Sequence, residues 1–169
     1  MDTTAALLDR VASDLALIVR ADAVAGSTDD EKMHILSAAG RAQRLLDAVI
    51  TETVASVDAR PAGSGDVTFP ARFGCRTMGE LLQRVLGTDA TGAARTVKAA
   101  RVVHRETDIT SGAALPARWP ALRDALLSGA VGAAGILAAT GPIEQAGPRI
   151  GTTDRLRVDA ELAAYARGC

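Results

Sequence analysis

Nucleophilic, acid–base and metal chemistry draws on His, Cys, Asn and carboxylates set at short, recurrent spacings, and this chain offers few of them. It holds two histidines, His34 and His104, two cysteines, Cys75 and Cys169, and no asparagine. The cysteines form no C-x-x-C pair, so neither a zinc site nor a disulfide framework is indicated, and both read as free thiols. No carboxylate or thiol stands at ligand spacing from His104, which therefore reads as a packed or surface histidine; His34 is equally alone. Gly63-Ser64-Gly65 is short, lies far from any strand pattern and reads as linker, not as a phosphate cradle. The expectation is a protein with no catalytic residues, no metal ligands and no cofactor: not an enzyme.

A second kind of chemistry is better represented. Arg95, Lys98, Arg101 and Arg105 fall within about a third of a helix circumference at 100° per residue, opposite Ala93, Val97, Ala100 and Val103. The charge is also unevenly spread. Residues 1–60 hold six basic and ten acidic side chains, a net of −4; residues 61–105 hold seven and three, a net of +4; the remainder is −1. A positive field thus sits on the stretch from Cys75 to Glu106. Cations in that arrangement suit phosphates, with an affinity that falls as salt rises. Lys98, Arg101 and Arg105 are placed for backbone contacts and Arg95, in the second turn, for a base edge. The same pattern also reads as an ordinary solvated helix face.

The elements that must position these residues are all helical. Ala, Val and Leu dominate the apolar fraction, and Trp119, Tyr165, Phe69 and Phe73 are the only aromatics. Alanine is the best helix former, and β-branched alternation is hard to find. Leu7, Leu8, Val11, Leu15, Ile18 and Val19 recur at helical steps and predict a first helix over 3–24, ended by Gly26. Thr28 with Glu31 forms a capping-box pattern ahead of a long second helix over 29–57. The short joint between them predicts an antiparallel hairpin. Pro61, Gly63, Gly65 and Pro70 break the pattern from Asp58 to Phe73, which reads as loop or linker.

Beyond it, Met78 to Leu86 predicts a short helix stopped by Gly87, and Thr88 or Asp89 caps a helix from Ala90 to about Arg105. Trp119-Pro120 opens another, closed by Ser128-Gly129, with Trp119 as a staple or core plug. Val131 to Thr140 predicts a short Gly-containing helix, punctuated after Gly141-Pro142 and Gly147-Pro148, and Thr153 to Arg167 a last one. The fold class is all-α: an N-terminal hairpin over 1–60, a linker over 61–76 and a helical domain over 77–169, expected to be truncated at its C-terminus. Its short helix, Gly-containing turn and basic second helix outline a helix-turn-helix-like pair, whose second helix would enter a major groove.

The run FGCRTMGELLQRVLGTDATGAARTVKAARVV, followed by ALPARWPALRDALLSGAVGAA, resembles the bacterial family called domain of unknown function 222, or the 13E12 repeat family. The motif positions are Gly74, Arg76 and Thr77, the Leu86-Gly87 turn, then Ala94, Arg95, Val97, Ala100 and Arg101. Leu115-Pro116 and Ala125, Leu126 and Gly129 follow, and the preceding hairpin also fits, so the likeness covers nearly the whole chain. It implies an α-helical region that in many relatives precedes a His-Asn-His endonuclease domain. The residues of that nuclease are missing from this sequence. The resulting expectation is a cytoplasmic, non-catalytic helical module of an endonuclease-associated family that binds duplex DNA through its basic helix. The alternative is a protein–protein interaction or self-association module, with a homo-oligomer or helical partner and no nucleic acid. No apolar run reaches the roughly 18 residues of a membrane span, so no membrane partner is expected.

Overall fold

The computed structural model describes residues 3–58, 67–106, 108, 110–147 and 150–168. Among them the chain is all-helical, with no strand. The helices are α1 (Thr4–Arg20), α2 (Asp29–Asp58), α3 (Phe69–Arg72), α4 (Met78–Leu86), α5 (Ala90–Val103), α6 (Pro120–Leu127), α7 (Ala133–Ala146) and α8 (Thr152–Arg167). None is long and apolar enough to cross a membrane. The chain divides into two compact units, residues 1–40 and 41–169, and the division falls inside α2. The Gly63-Ser64-Gly65 stretch, the rest of the expected linker up to residue 66, and Cys169 lie outside the described residues.

In the first unit, α1 begins at a Thr3 cap whose Oγ1 accepts from the Ala6 N–H at 3.3 Å. It stops at Arg20, earlier than Gly26 suggested, because Asp22 takes a left-handed φ of 47° that its short polar side chain tolerates. The capping box at the start of α2 is formed as expected. The Thr28 N–H donates to Glu31 Oε2 at 2.7 Å, and the Glu31 N–H donates to Thr28 Oγ1 at 3.3 Å. The Thr28 N–H and the Thr28 hydroxyl, both donating to Glu31 Oε2, hold the Glu31 carboxyl below its ordinary range. No side chain of residues 3–40 is buried, and the α1 stripe of Leu7, Val11, Leu15 and Ile18 stands 40 to 52% exposed.

The second unit holds the core, in two clusters that α5 joins. Val103 of α5 packs with Trp119, Leu122, Ala125 and Leu126 of the α6 region, Ile136 of α7, Ala163 of α8 and Ala48 of α2. Ala93 and Ala100 of α5 pack with Leu82 of α4 and Val54 and Ala55 of α2. Alanines at these contacts let helix axes approach closely, which compensates for the scarcity of large side chains. Trp119 is the core plug, fully buried, with its Nε1–H donating to Glu144 Oε1 at 2.9 Å.

Two expectations need correction. The stretch from Asp58 to Phe73 is not loop throughout, because Phe69–Arg72 makes one helical turn with Pro70 buried in its first turn. Proline lacks the N–H that such a position leaves unbonded, and its fixed φ suits it. The Gly141-Pro142 pair does not end the sixth predicted helix: α7 runs through it to Ala146. An interior proline costs a helix about 3 kcal/mol. Anchors beyond it offset that cost, since Ile143 packs against the core and Glu144 bonds Trp119 and pairs with Arg118 at 2.8 Å.

Candidate nucleic-acid interface

The sequence dictates α4, the turn and α5 through local caps. Thr77 Oγ1 accepts from the Glu80 N–H at 3.1 Å, and Glu80 Oε2 accepts in return from the Arg76 N–H at 2.7 Å. Gly87 ends α4 at φ 61°, ψ 27°, a left-handed conformation that glycine adopts without a Cβ penalty. Two residues later Asp89 Oδ1 accepts from the Gly92 N–H at 2.6 Å and starts α5. That cap is tight. A Cβ on Gly92 would lie 2.2 Å from Thr88 Oγ1 and 3.0 Å from Asp89 Oδ1. Gly92 was not singled out from sequence, though a glycine three residues after an N-cap Asp is a readable signal.

Because Asp89 occupies the amide-rich end of α5, the helix terminus presents a carboxylate and not free N–H groups. Anion contacts must therefore come from side chains. Arg95, Lys98 and Arg101 are exposed on one side of α5. Ala93, Ala99, Ala100 and Val103 are buried on the other, Ala99 in addition to the positions the pattern predicted. Among the described residues Arg95 and Lys98 make no hydrogen bond or ion pair. The three cations follow one another at i, i+3 and i+6, each about 4.5 Å further along the axis.

Arg105 stands apart from them. α5 ends at Val103, His104 turns to an extended ψ of 145°, and Arg105 follows beyond the helix. Its guanidinium stays exposed but donates to two main-chain oxygens, from Nε to Leu115 at 3.0 Å and from Nη2 to Ala114 at 3.1 Å. It ties the segment after α5 back to the end of that helix. His104 is half-buried beside Arg101 and Ala55. Cys75 is buried, its sulfur 3.8 Å from the Phe73 carbonyl oxygen. Among the described residues no three His, Cys, Asp or Glu side chains converge as a metal site would need.

The scaffold behind α5 depends on groups that no local pattern signalled. Asp159 of α8, 1% exposed, accepts from the Ala121 N–H at 2.7 Å and the Leu122 N–H at 2.9 Å, capping α6 from another helix. Trp119 at the N-cap position supplies no side-chain bond there, and Pro120 has no N–H. Arg123 of α6 forms an ion pair with Glu52 of α2, and Arg44 Nε donates to the Gly129 carbonyl at 2.6 Å. These bonds attach α2, α6 and α8 to the body that carries α5. No protein-family model, no curated protein and no solved structure matches the chain.

Proposed function

We propose that this chain is a non-catalytic helical module that binds duplex DNA through α5. The observation that carries the reading is the two-sidedness of that helix. Arg95, Lys98 and Arg101 project from one side, while the other side is packed into both core clusters. A 14-residue helix is about 21 Å long, enough to cross a major groove about 12 Å wide. Arg95 lies nearest the N-terminal half, where recognition helices meet base edges, and Lys98 and Arg101 follow along the line a phosphate backbone takes. Arg105 contributes differently, by holding the segment after α5. The motif order by which the sequence resembles the domain of unknown function 222 family, many of whose relatives carry a DNA-cutting domain, is consistent with the same reading.

Fluorescence anisotropy on a labelled duplex, titrated at several salt concentrations, tests it. The expected result is binding that weakens with salt, with at least a tenfold loss in the Arg95→Glu, Arg101→Glu double variant. Lys98→Ala should weaken binding across sequences alike and lower the salt slope by about one. Absence of binding at low salt would overturn the proposal.

A further inference from the structure

α2 is one helix in two environments. From Arg44 onward it is bonded and packed. Arg44 Nε donates to the Gly129 carbonyl at 2.6 Å, Leu45 closes on Gly129 so that an added Cβ would lie 2.9 Å from its Cγ, and Ala48, Thr51, Val54 and Ala55 are buried. Residues 3–40 differ throughout. None of them is buried or belongs to either core cluster, and only Leu8, Ala16, Ser27, Lys32 and Gly40 reach half-burial. The hydrogen bonds at Thr3, Ser13, Ser27, Thr28 and Glu31 span no more than four residues. Gly40, of a residue type that weakens helix interiors, is the last position before the division between the two units.

We propose that residues 3–40 form an arm in helix–coil exchange, which melts and re-forms on its own equilibrium and whose melting stops within α2 at Gly40. Most of the stability of a protein helix comes from the face it buries, and isolated helices shorter than about 12–15 residues are marginal in water. Asp29 to Gly40 is 12 of the 30 residues of α2, and α1 has 17. Ordering either one costs backbone entropy that burial must offset, and no residue of the arm is buried. The caps at Thr3 and Thr28 offset only a small part. Continuity with the packed half of α2 adds little more, because a helix propagates by one hydrogen bond per residue and a glycine weakens that step at the boundary. The second unit, which carries α5, keeps both core clusters in either state of the arm, since neither cluster draws on residues 3–40.

Amide hydrogen exchange of the full chain in dilute solution is the test. Amides of α1 and of residues 33–39 are expected to exchange at least about a hundredfold faster than those of residues 46–54, in the packed half of α2. Equal protection along α2 would overturn the proposal. Two unfolding probes give a second readout. Trp119, the one tryptophan of the sequence, is fully buried in the second unit and reports that unit by fluorescence, whereas circular dichroism counts helix in both. On warming, the dichroism should fall before the Trp119 signal moves; coincident transitions would contradict a separate arm. Ser37→Pro, at an exposed position of α2, sharpens the comparison. It should remove helical dichroism and leave the Trp119 midpoint within about 1 °C of the wild type. If residues 3–40 belonged to the same cooperative fold, that proline would lower the midpoint by roughly 6–12 °C, and such a fall would overturn the proposal. None of these readouts involves DNA, so this inference and the reading of α5 fail separately.

Discussion

Asp159→Ala should be among the most damaging single substitutions in the chain. The carboxylate is 1% exposed and accepts from the Ala121 and Leu122 N–H groups at 2.7 and 2.9 Å, at the start of a helix whose own N-cap residue, Trp119, gives no side-chain bond. Alanine would leave both donors without an acceptor, one of them on the fully buried Leu122. An unsatisfied buried donor costs about 1–3 kcal/mol, and loss of a helix cap by itself about 1. Relief of the carboxylate's desolvation recovers part of this, leaving a net loss of roughly 2–4 kcal/mol. For a chain of this length each kcal/mol lowers the melting temperature by about 2–4 °C, so a fall of roughly 5–15 °C is expected. Asp159→Asn keeps one acceptor but turns a donor toward the helix end, and should fall between the two. Thermal and urea unfolding followed by circular dichroism would measure both, with amide exchange at Ala121 and Leu122 as the local readout. A loss of less than about 0.5 kcal/mol in Asp159→Ala, within the range of ordinary surface substitutions, would refute the reasoning.

Three further outcomes follow from single contacts. Gly129 sits at φ 72°, with an added Cβ 2.9 Å from Leu45 Cγ, so Gly129→Ala should cost about 1–3 kcal/mol in urea unfolding. The Thr51 hydroxyl is fully buried and has no hydrogen-bond partner among the described residues, so Thr51→Val should leave stability unchanged or raise it by about 1 kcal/mol in the same assay. The Asp108 carboxyl, held by the Ser111 and Thr110 N–H groups, lies below its ordinary value of 3.8. Its stabilising contribution is therefore present above the unfolded value and lost as pH falls through the folded one; a carbon-detected NMR titration should show the low midpoint, and Asp108→Asn should remove that pH dependence.

The parts of the fold that were legible are those whose cause is local in sequence. Thr28 with Glu31, Gly87 and Asp89 act on backbone within a few residues of themselves, so the starts of α2 and α5 and the turn between α4 and α5 could be read directly. Distant groups were not legible. Asp159 caps a helix through an N–H 38 residues earlier, at Ala121, and α7 survives Gly141-Pro142 because Trp119, far upstream, engages Glu144 beyond the proline. The basic face shows both cases. Helical period placed Arg95, Lys98 and Arg101 on one exposed side, and it also placed Arg105 there. The helix ends at Val103, however, and carbonyls of the segment after it capture the Arg105 guanidinium. Periodicity cannot register where a helix stops when no glycine or proline marks the place.

An amide chemical-shift map during titration with a short duplex at low salt tests most directly whether α5 carries a DNA-binding surface. Saturable shifts concentrated on the exposed side of residues 90–103, around Arg95, Lys98 and Arg101, are expected, and they should disappear as salt is raised. Shifts centred elsewhere, or none at saturating duplex, would contradict that reading of α5.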